Sequence, residues 1–300
     1  MIISASRRTD IPAFYSRWML NRLRAGFCDV PNPFNPAQVS RISLLPAEVD
    51  AIVFWTRNPR PLFASLAEME QRGYHFYFQY TLLDNPRWLD PYSPPLPAAL
   101  DTFHRLSGRI GPERVIWRYD PIVLSQATPP DFHRRTFEQI AAQLHGHTNR
   151  VVLSFMDFYP KIRKRLQALQ PHSGELRRPQ GGEPWFEALA RDLAAIARSN
   201  GLQPVSCAEP LDLQACGIEP GKCIDDALLH DLFGLQLAAG KDPGQRSACG
   251  CVQSRDIGVY ETCLFGCRYC YATGSFERAR QNYARHDPAA SSLLPNPFTP

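Results

Sequence analysis

The sequence predicts an α/β fold: a parallel sheet closed fully or partly into a (β/α) barrel of the TIM type. Three features point there. Short runs rich in β-branched and aromatic residues alternate with amphipathic segments, the alternation returns roughly every 35 to 45 residues, and no composition break interrupts it. The runner-up is a doubly wound open sheet. Periodicity alone does not separate closure from openness, and no GxGxxG or GxxxxGK(S/T) follows any strand-like run.

Buried strands are expected at 2–4, 51–55, 75–80, 114–117, 150–154 and 203–206, each a short apolar run bounded by polar or turn residues. Helices are expected at 13–25, 61–72, 96–108, 130–144, 183–199 and 224–233. Several of these are entered through Pro or an acidic first turn, where the missing N–H or the negative charge suits a helix start. The Pro-rich segments 84–97 and 171–184 read as surface loops, and 291–300 as an irregular tail. The organisation is therefore one barrel-like domain over residues 1–290 with a cysteine-rich segment at 249–271.

A hydrophobic fraction of 44% over 300 residues supports a large core, and a net charge of +4 is far from the basic footprint of a dedicated nucleic-acid binder. Nucleic acid is thus unsupported as a partner. The N-terminus lacks the basic, apolar and small-residue order of a secretory signal, and no run approaches a membrane span, so a cytoplasmic location is expected. Nine cysteines without an export signal favour metal or redox chemistry over a disulfide framework.

In parallel α/β folds chemistry gathers beyond the carboxyl ends of the strands, and here those positions are polar. Arg7, Arg8 and Asp10 follow the first strand; Asn58, Gln79, Arg118, Asp120 and Glu209 follow later ones. Arg pairs bidentately with carboxylate or phosphate, so the set suits a zwitterionic or phosphate-bearing small molecule. Arg7, Asp10, Arg118, Asp120 and Glu209 are the catalytic candidates; Arg8, Asn58 and Gln79 are candidates for holding a cofactor. For any one of them the alternative is a helix cap or rim ion pair.

The densest chemistry is the run Cys263-Leu-Phe-Gly-Cys267-Arg-Tyr-Cys270. Three thiolates on one short loop, spaced CxxxCxxC, can wrap a single metal centre, and thiolates select iron–sulfur clusters or zinc. No fourth cysteine follows Cys270, so a cluster held here keeps one iron open to a ligand. Cys207, Cys223, Cys249 and Cys251 make a candidate second metal centre; the alternative is a pair of reduced, partly buried thiols at 249 and 251 plus two unrelated core cysteines. Cys28 and Cys216 read as ordinary cysteines.

CxxxCxxC with an aromatic between the last two cysteines resembles the cluster loop of the radical S-adenosylmethionine superfamily. The resemblance implies a 4Fe-4S cluster on Cys263, Cys267 and Cys270, S-adenosyl-L-methionine bound at the open iron with Tyr269 beside it, and a reductant such as flavodoxin or ferredoxin. Over almost the whole chain, SxRTDIPAF near the start and CxCxxSxDIGxYxTCxxxCxYCYA near the end are similar to domain-of-unknown-function family 1848. The superfamily carries its loop after the first barrel strand, whereas here it lies near the C-terminus. A circular permutation reconciles the two, with 257–260 as first strand, 275–285 as first helix and 2–4 as second strand. In place of a GGE-like motif stands SRRTD. Two other readings stay open: a DNA-lesion repair lyase similar to spore photoproduct lyase, and a non-enzymatic zinc- or iron–sulfur-binding module that carries electrons or binds a partner.

Overall fold

The computed structural model describes residues 1–35, 37–237 and 240–295, so the last five residues of the expected tail lie outside it. The strands are β1 (Ile2–Ala5), β2 (Phe27–Pro31), β3 (Val39–Ser43), β4 (Ala51–Thr56), β5 (Phe76–Thr81), β6 (Val115–Ile122), β7 (Leu124–Ser125), β8 (Arg150–Phe155), β9 (Leu176–Arg177), β10 (Gln203–Cys207), β11 (Glu219–Gly221) and β12 (Arg255–Asp256). The helices are α1 (Ile11–Phe14), α2 (Ser16–Ala25), α3 (Phe63–Gln71), α4 (Leu96–Ile110), α5 (Pro130–Leu144), α6 (Arg163–Gln167), α7 (Gln170–Ser173), α8 (Pro184–Ser199), α9 (Asp226–Phe233) and α10 (Phe276–Ala284).

Eight strands form one sheet in the order β11-β10-β8-β6-β5-β4-β1-β12, and its pairings are parallel. The α/β class and the parallel sheet are therefore as the alternation predicts. The six expected strands and six expected helices all form, with ends shifted by a few residues. The segment 13–25 is split in two because Tyr15 leaves helical geometry between α1 and α2. The segment 257–260 is not a strand; the strand lies just before it, at β12. Unforeseen were the β2–β3 hairpin, the three-residue β11 and the short β7–β9 pair, whose second strand falls inside the expected 171–184 loop.

The chain divides into two compact units: residues 1–78 with 254–266 and 270–300, and residues 79–253 with 267–269. In the first, β1 and β4 bury Ile3, Ala5, Ile52 and Phe54 completely, as strands covered on both faces must. Phe54 stacks on Phe78 at 5.0 Å and meets the edge of Phe76 at 6.2 Å. The C-terminal segment is sewn onto α2 by polar side chains reaching backbone carbonyls: Trp18 donates to Ala290, Asn21 to Pro288 and Arg22 to Ala289. In the second unit, Trp117 of β6 stacks on Phe137 of α5 at 4.7 Å. Asp225 caps α9 by accepting from Ala227 and Leu228 N–H, and its other oxygen pairs with Arg150 at 2.7 Å.

Candidate metal centre and its surroundings

In the first unit β1 and β12, far apart in sequence, form one parallel pairing, Ile3 opposite Arg255 and Ser4 opposite Asp256. Asp256 then organises everything that follows β1. Its carboxylate accepts from Ser4 Oγ (2.9 Å), Ser6 Oγ (2.6 Å), the Arg7 N–H (2.8 Å) and the Gly258 N–H (2.9 Å), and Arg8 Nε lies 3.9 Å away. So many donors on one carboxylate fix the backbone of the Ser-Arg-Arg segment without help from secondary structure. Gly258 is required by close approach, because a Cβ there would overlap the Ser6 hydroxyl. The guanidinium of Arg7 lies over Trp55 at 4.9 Å and that of Arg8 over Tyr260 at 5.3 Å.

Asp10 is a second buried hub. It caps α1 through Ala13 N–H (2.9 Å) and accepts from Thr56 Oγ1 (2.8 Å) and Arg57 N–H (2.7 Å). Burial pushes its pKa up to about 7 against the downward pull of those three hydrogen bonds and the charge of Arg57. Asn58 completes this corner locally, receiving Arg60 N–H on its side-chain oxygen at 3.3 Å and giving its own N–H to Thr56. Thr9 Oγ1, between Arg8 and Asp10, is buried with no hydrogen-bond partner among the described residues.

The cysteine loop leaves β12 and is closed by Glu261. This residue sits at φ 60°, a region that costs any side chain with a Cβ. Its carboxylate accepts from Gly274 N–H (2.7 Å) and Ser275 N–H (2.9 Å), its own N–H reaches the Ala272 carbonyl (3.1 Å), and Asn282 of α10 donates to its carbonyl (2.9 Å). These four bonds hold the entry of the loop to its exit. Tyr15 donates to the Thr262 carbonyl at 2.8 Å, and Phe14 packs on Phe265 at 4.7 Å. Cys263 is pushed up by burial, then by the neighbouring Cys270 and Asp10, so the thiol does not ionise readily without a cation. Cys270 Sγ accepts from Ala272 N–H at 3.3 Å, and Tyr271 donates its hydroxyl to the Arg7 carbonyl at 3.1 Å. Cys267 and Tyr269 belong to the second unit. There Tyr269 is buried and donates to Asp90 at 3.0 Å, while Arg268 N–H bonds the Leu89 carbonyl.

Also in the second unit, β6 shifts register against β8 between Tyr119 and Ile122, so Asp120 and Pro121 stand in a bulge, where a residue without an N–H is tolerated. The buried Arg118 forms an ion pair with Asp120 and donates to Cys223 Sγ (2.8 Å) and Gln79 Oε1 (3.2 Å). Gln79 in turn donates to the Cys223 carbonyl at 2.9 Å. Burial opposes the charge of Arg118, but Cys223, Asp120 and Cys207 outweigh it and hold its pKa well above the ordinary arginine value. Cys207 Sγ and Cys223 Sγ are 2.7 Å apart. The first ionisation of that pair is eased: the hydrogen bond from Cys223 pulls Cys207 down to about 7 against burial, and Arg118 helps, while the bonds to Cys207 and Cys251 push Cys223 well above the ordinary thiol value. Glu209 stands apart, its carboxylate taken by Phe155 N–H (3.2 Å) and Leu211 N–H (3.5 Å), and burial raises its pKa.

All nine cysteines are outside disulfide bonds. Among the described residues, no three His, Cys, Asp or Glu side chains are arranged around a common point as a ready metal-ion site, and no helix is long and apolar enough to cross a membrane. The family described as Domain of unknown function (DUF1848) matches residues 2–272. The chain belongs to this family. No curated protein matches the chain. The family match takes in β1, the Asp256 hub and all three cysteines of the loop, and ends before α10.

Of the polar candidates, Arg7 and Arg8 lie in the first unit beside Asp256, Asp10 and Asn58 gather in the same unit around Thr56, and Gln79, Arg118 and Asp120 gather in the second around Cys223. Two residues that sequence reasoning passed over matter as much. Asp256 and Glu261 flank Asp-Ile-Gly-Val-Tyr-Glu, and the signal available was an acidic residue two positions before a Gly and another two before the first cysteine.

Proposed function

We propose that this chain is a 4Fe-4S enzyme that uses S-adenosylmethionine to begin radical chemistry on a small molecule, on a sheet curved as a partial barrel and permuted in chain order. The observation that carries this reading is the position of the cysteine loop. It follows β12, which lies at one edge of the sheet beside β1; from β1 the strands continue β4, β5, β6, β8, β10, β11, each later in the chain than the one before. Residues 254–284 thus occupy the place of a first strand, loop and helix in a β/α series although they are made last.

The donor chemistry fits a thiolate-bound cluster. Cys263, Cys267 and Cys270 supply three sulfurs on one loop clamped by Glu261, and the buried Cys263 thiolate needs a nearby positive charge. Thr9 Oγ1 is a buried orphan that a bound ligand would satisfy. When bound, such a centre supplies the single electron that cleaves S-adenosylmethionine, drawn from a reductant such as flavodoxin or ferredoxin. The chain's own part is binding and orientation. The guanidinium of Arg7 or Arg8 suits a carboxylate, Asp10 suits an ammonium or hydroxyl, and Tyr269, whose hydroxyl donates to Asp90, is the aromatic that would pack by the cofactor.

The test is iron analysis with visible and EPR spectra on anaerobically purified protein, repeated after Cys267→Ala. About four irons per chain, a spectrum that shifts with S-adenosylmethionine and is lost in the variant, and 5'-deoxyadenosine formed under strong reductant are the required results. A loaded, reduced protein that never cleaves the cofactor sinks the proposal.

A further inference from the structure

The four remaining clustered cysteines have no part in that reaction, and they come from three separate places: the end of β10, the residue two past β11, and the Cys249-Gly-Cys251 turn. They nevertheless touch in series. Cys207 lies against Cys223, Cys223 against Cys251, and Cys251 against Cys249. Cys223, Cys249 and Cys251 are buried, at 3%, 7% and 2% exposure. We propose that Cys207, Cys223, Cys249 and Cys251 bind one zinc ion as a four-thiolate structural centre.

The surroundings are those of metal-bound sulfur. Ile224 N–H points at Cys251 Sγ (3.4 Å) and Arg118 Nη1 at Cys223 Sγ (2.8 Å); donors to ligand sulfur are the outer shell that thiolate–metal sites carry. Four thiolates on a divalent ion leave net negative charge in a buried place, and Arg118, held in position by Asp120 and Gln79, is the buried cation facing it. The segment 240–253 is otherwise lightly attached, through the Arg246–Asp157 ion pair. It contains no helix or strand, only the Lys241–Val252 bridge and single backbone bonds such as Val252 N–H to Ile224. A metal closing such a loop onto strand ends contributes folding free energy directly.

Zinc fits better than a second iron cluster. Four sulfurs at about 2.3 Å from one ion lie about 3.8 Å from each other. The 2.7 Å contact between Cys207 and Cys223 is about 1 Å short of that separation, whereas a four-iron cube demands far wider spacing. Four protein ligands leave no open position, which makes the centre structural.

The test uses the full chain with Cys263, Cys267 and Cys270 all changed to Ala, which separates this centre from the loop. About one zinc per chain should remain, and should fall at least about tenfold when Cys223→Ser and Cys251→Ser are added. Cobalt(II) should give thiolate charge-transfer absorption saturating at one equivalent. If the added changes prevent folding, zinc-edge X-ray absorption on the unmutated protein should still read four sulfur neighbours. Loss of all zinc from the triple variant, iron in its place, or nitrogen and oxygen neighbours at the edge overturns the proposal.

Discussion

The loop at Cys263–Cys270 and the group at Cys207, Cys223, Cys249 and Cys251 differ in how they are built. The first is local: three cysteines on one turn, its ends tied by Glu261 to Gly274 and Ser275. The second is assembled from two strand ends and a distant turn, with Arg118 from a third strand pressed against its sulfur. A local site depends on a few clamps and keeps its donors even if the rest of the fold loosens. An assembled site exists only when the strands are in register, so it reports on the fold. The lesson is that the same ligand chemistry can be the working end in one place and a fastening in another.

Four changes sharpen or break that contrast. Cys263→Ala should lower 5'-deoxyadenosine formation by more than the about 10- to 100-fold typical of outer-shell losses, yet leave zinc content and thermal midpoint nearly unchanged. A large fall in the midpoint would show the loop to be structural too. Asp10→Asn should remove a pH dependence. The folded pKa of about 7 stands above the ordinary 3.8, so the folded chain holds the proton more tightly. Stability of the metal-free protein is thus fully present below about pH 4 and falls by up to about 4 kcal/mol as pH rises to 7 and beyond. Denaturant midpoints across that window should slope in the parent and flatten in the variant.

Arg118→Met should cost about 3 kcal/mol, because Asp120 loses its buried partner and Cys223 its donor. Zinc should be released at lower chelator concentration while the iron spectrum persists; equal loss of both metals would erase the distinction between the sites. Gly258→Ala should be the smallest effect, about 1–3 kcal/mol from overlap with Ser6, read as a lower thermal midpoint. Rescue by Ser6→Gly in the same chain would locate the clash.

Legibility in the sequence followed the same division. The strands and long helices were readable because each is a contiguous apolar pattern, and the loop was readable because its cysteines are neighbours in the chain. The β2–β3 hairpin escaped because Val39–Ser43 is mostly exposed and carries no alternation to core. β11 is Glu-Pro-Gly, three residues that propensity would place in a turn, and only pairing with β10 makes them a strand. The four cysteines of the assembled group could be counted but not brought together by spacing alone. Asp256 and Glu261 went unread because a carboxylate collecting backbone N–H groups leaves no periodic signature.

The pairing of Ile3 with Arg255 and Ser4 with Asp256 also sets an order of events during synthesis. β1 leaves the ribosome early with one edge able to find β4 and the other facing nothing until residues 255–256 follow. At about 5–20 residues per second that edge waits roughly ten to fifty seconds. An open strand edge invites pairing with other chains, so the nascent protein spends that interval in its most aggregation-prone form. Its exposure ends when the cysteine-bearing segment arrives, which makes insertion of β12 the step that both covers this edge of β1 and delivers the loop.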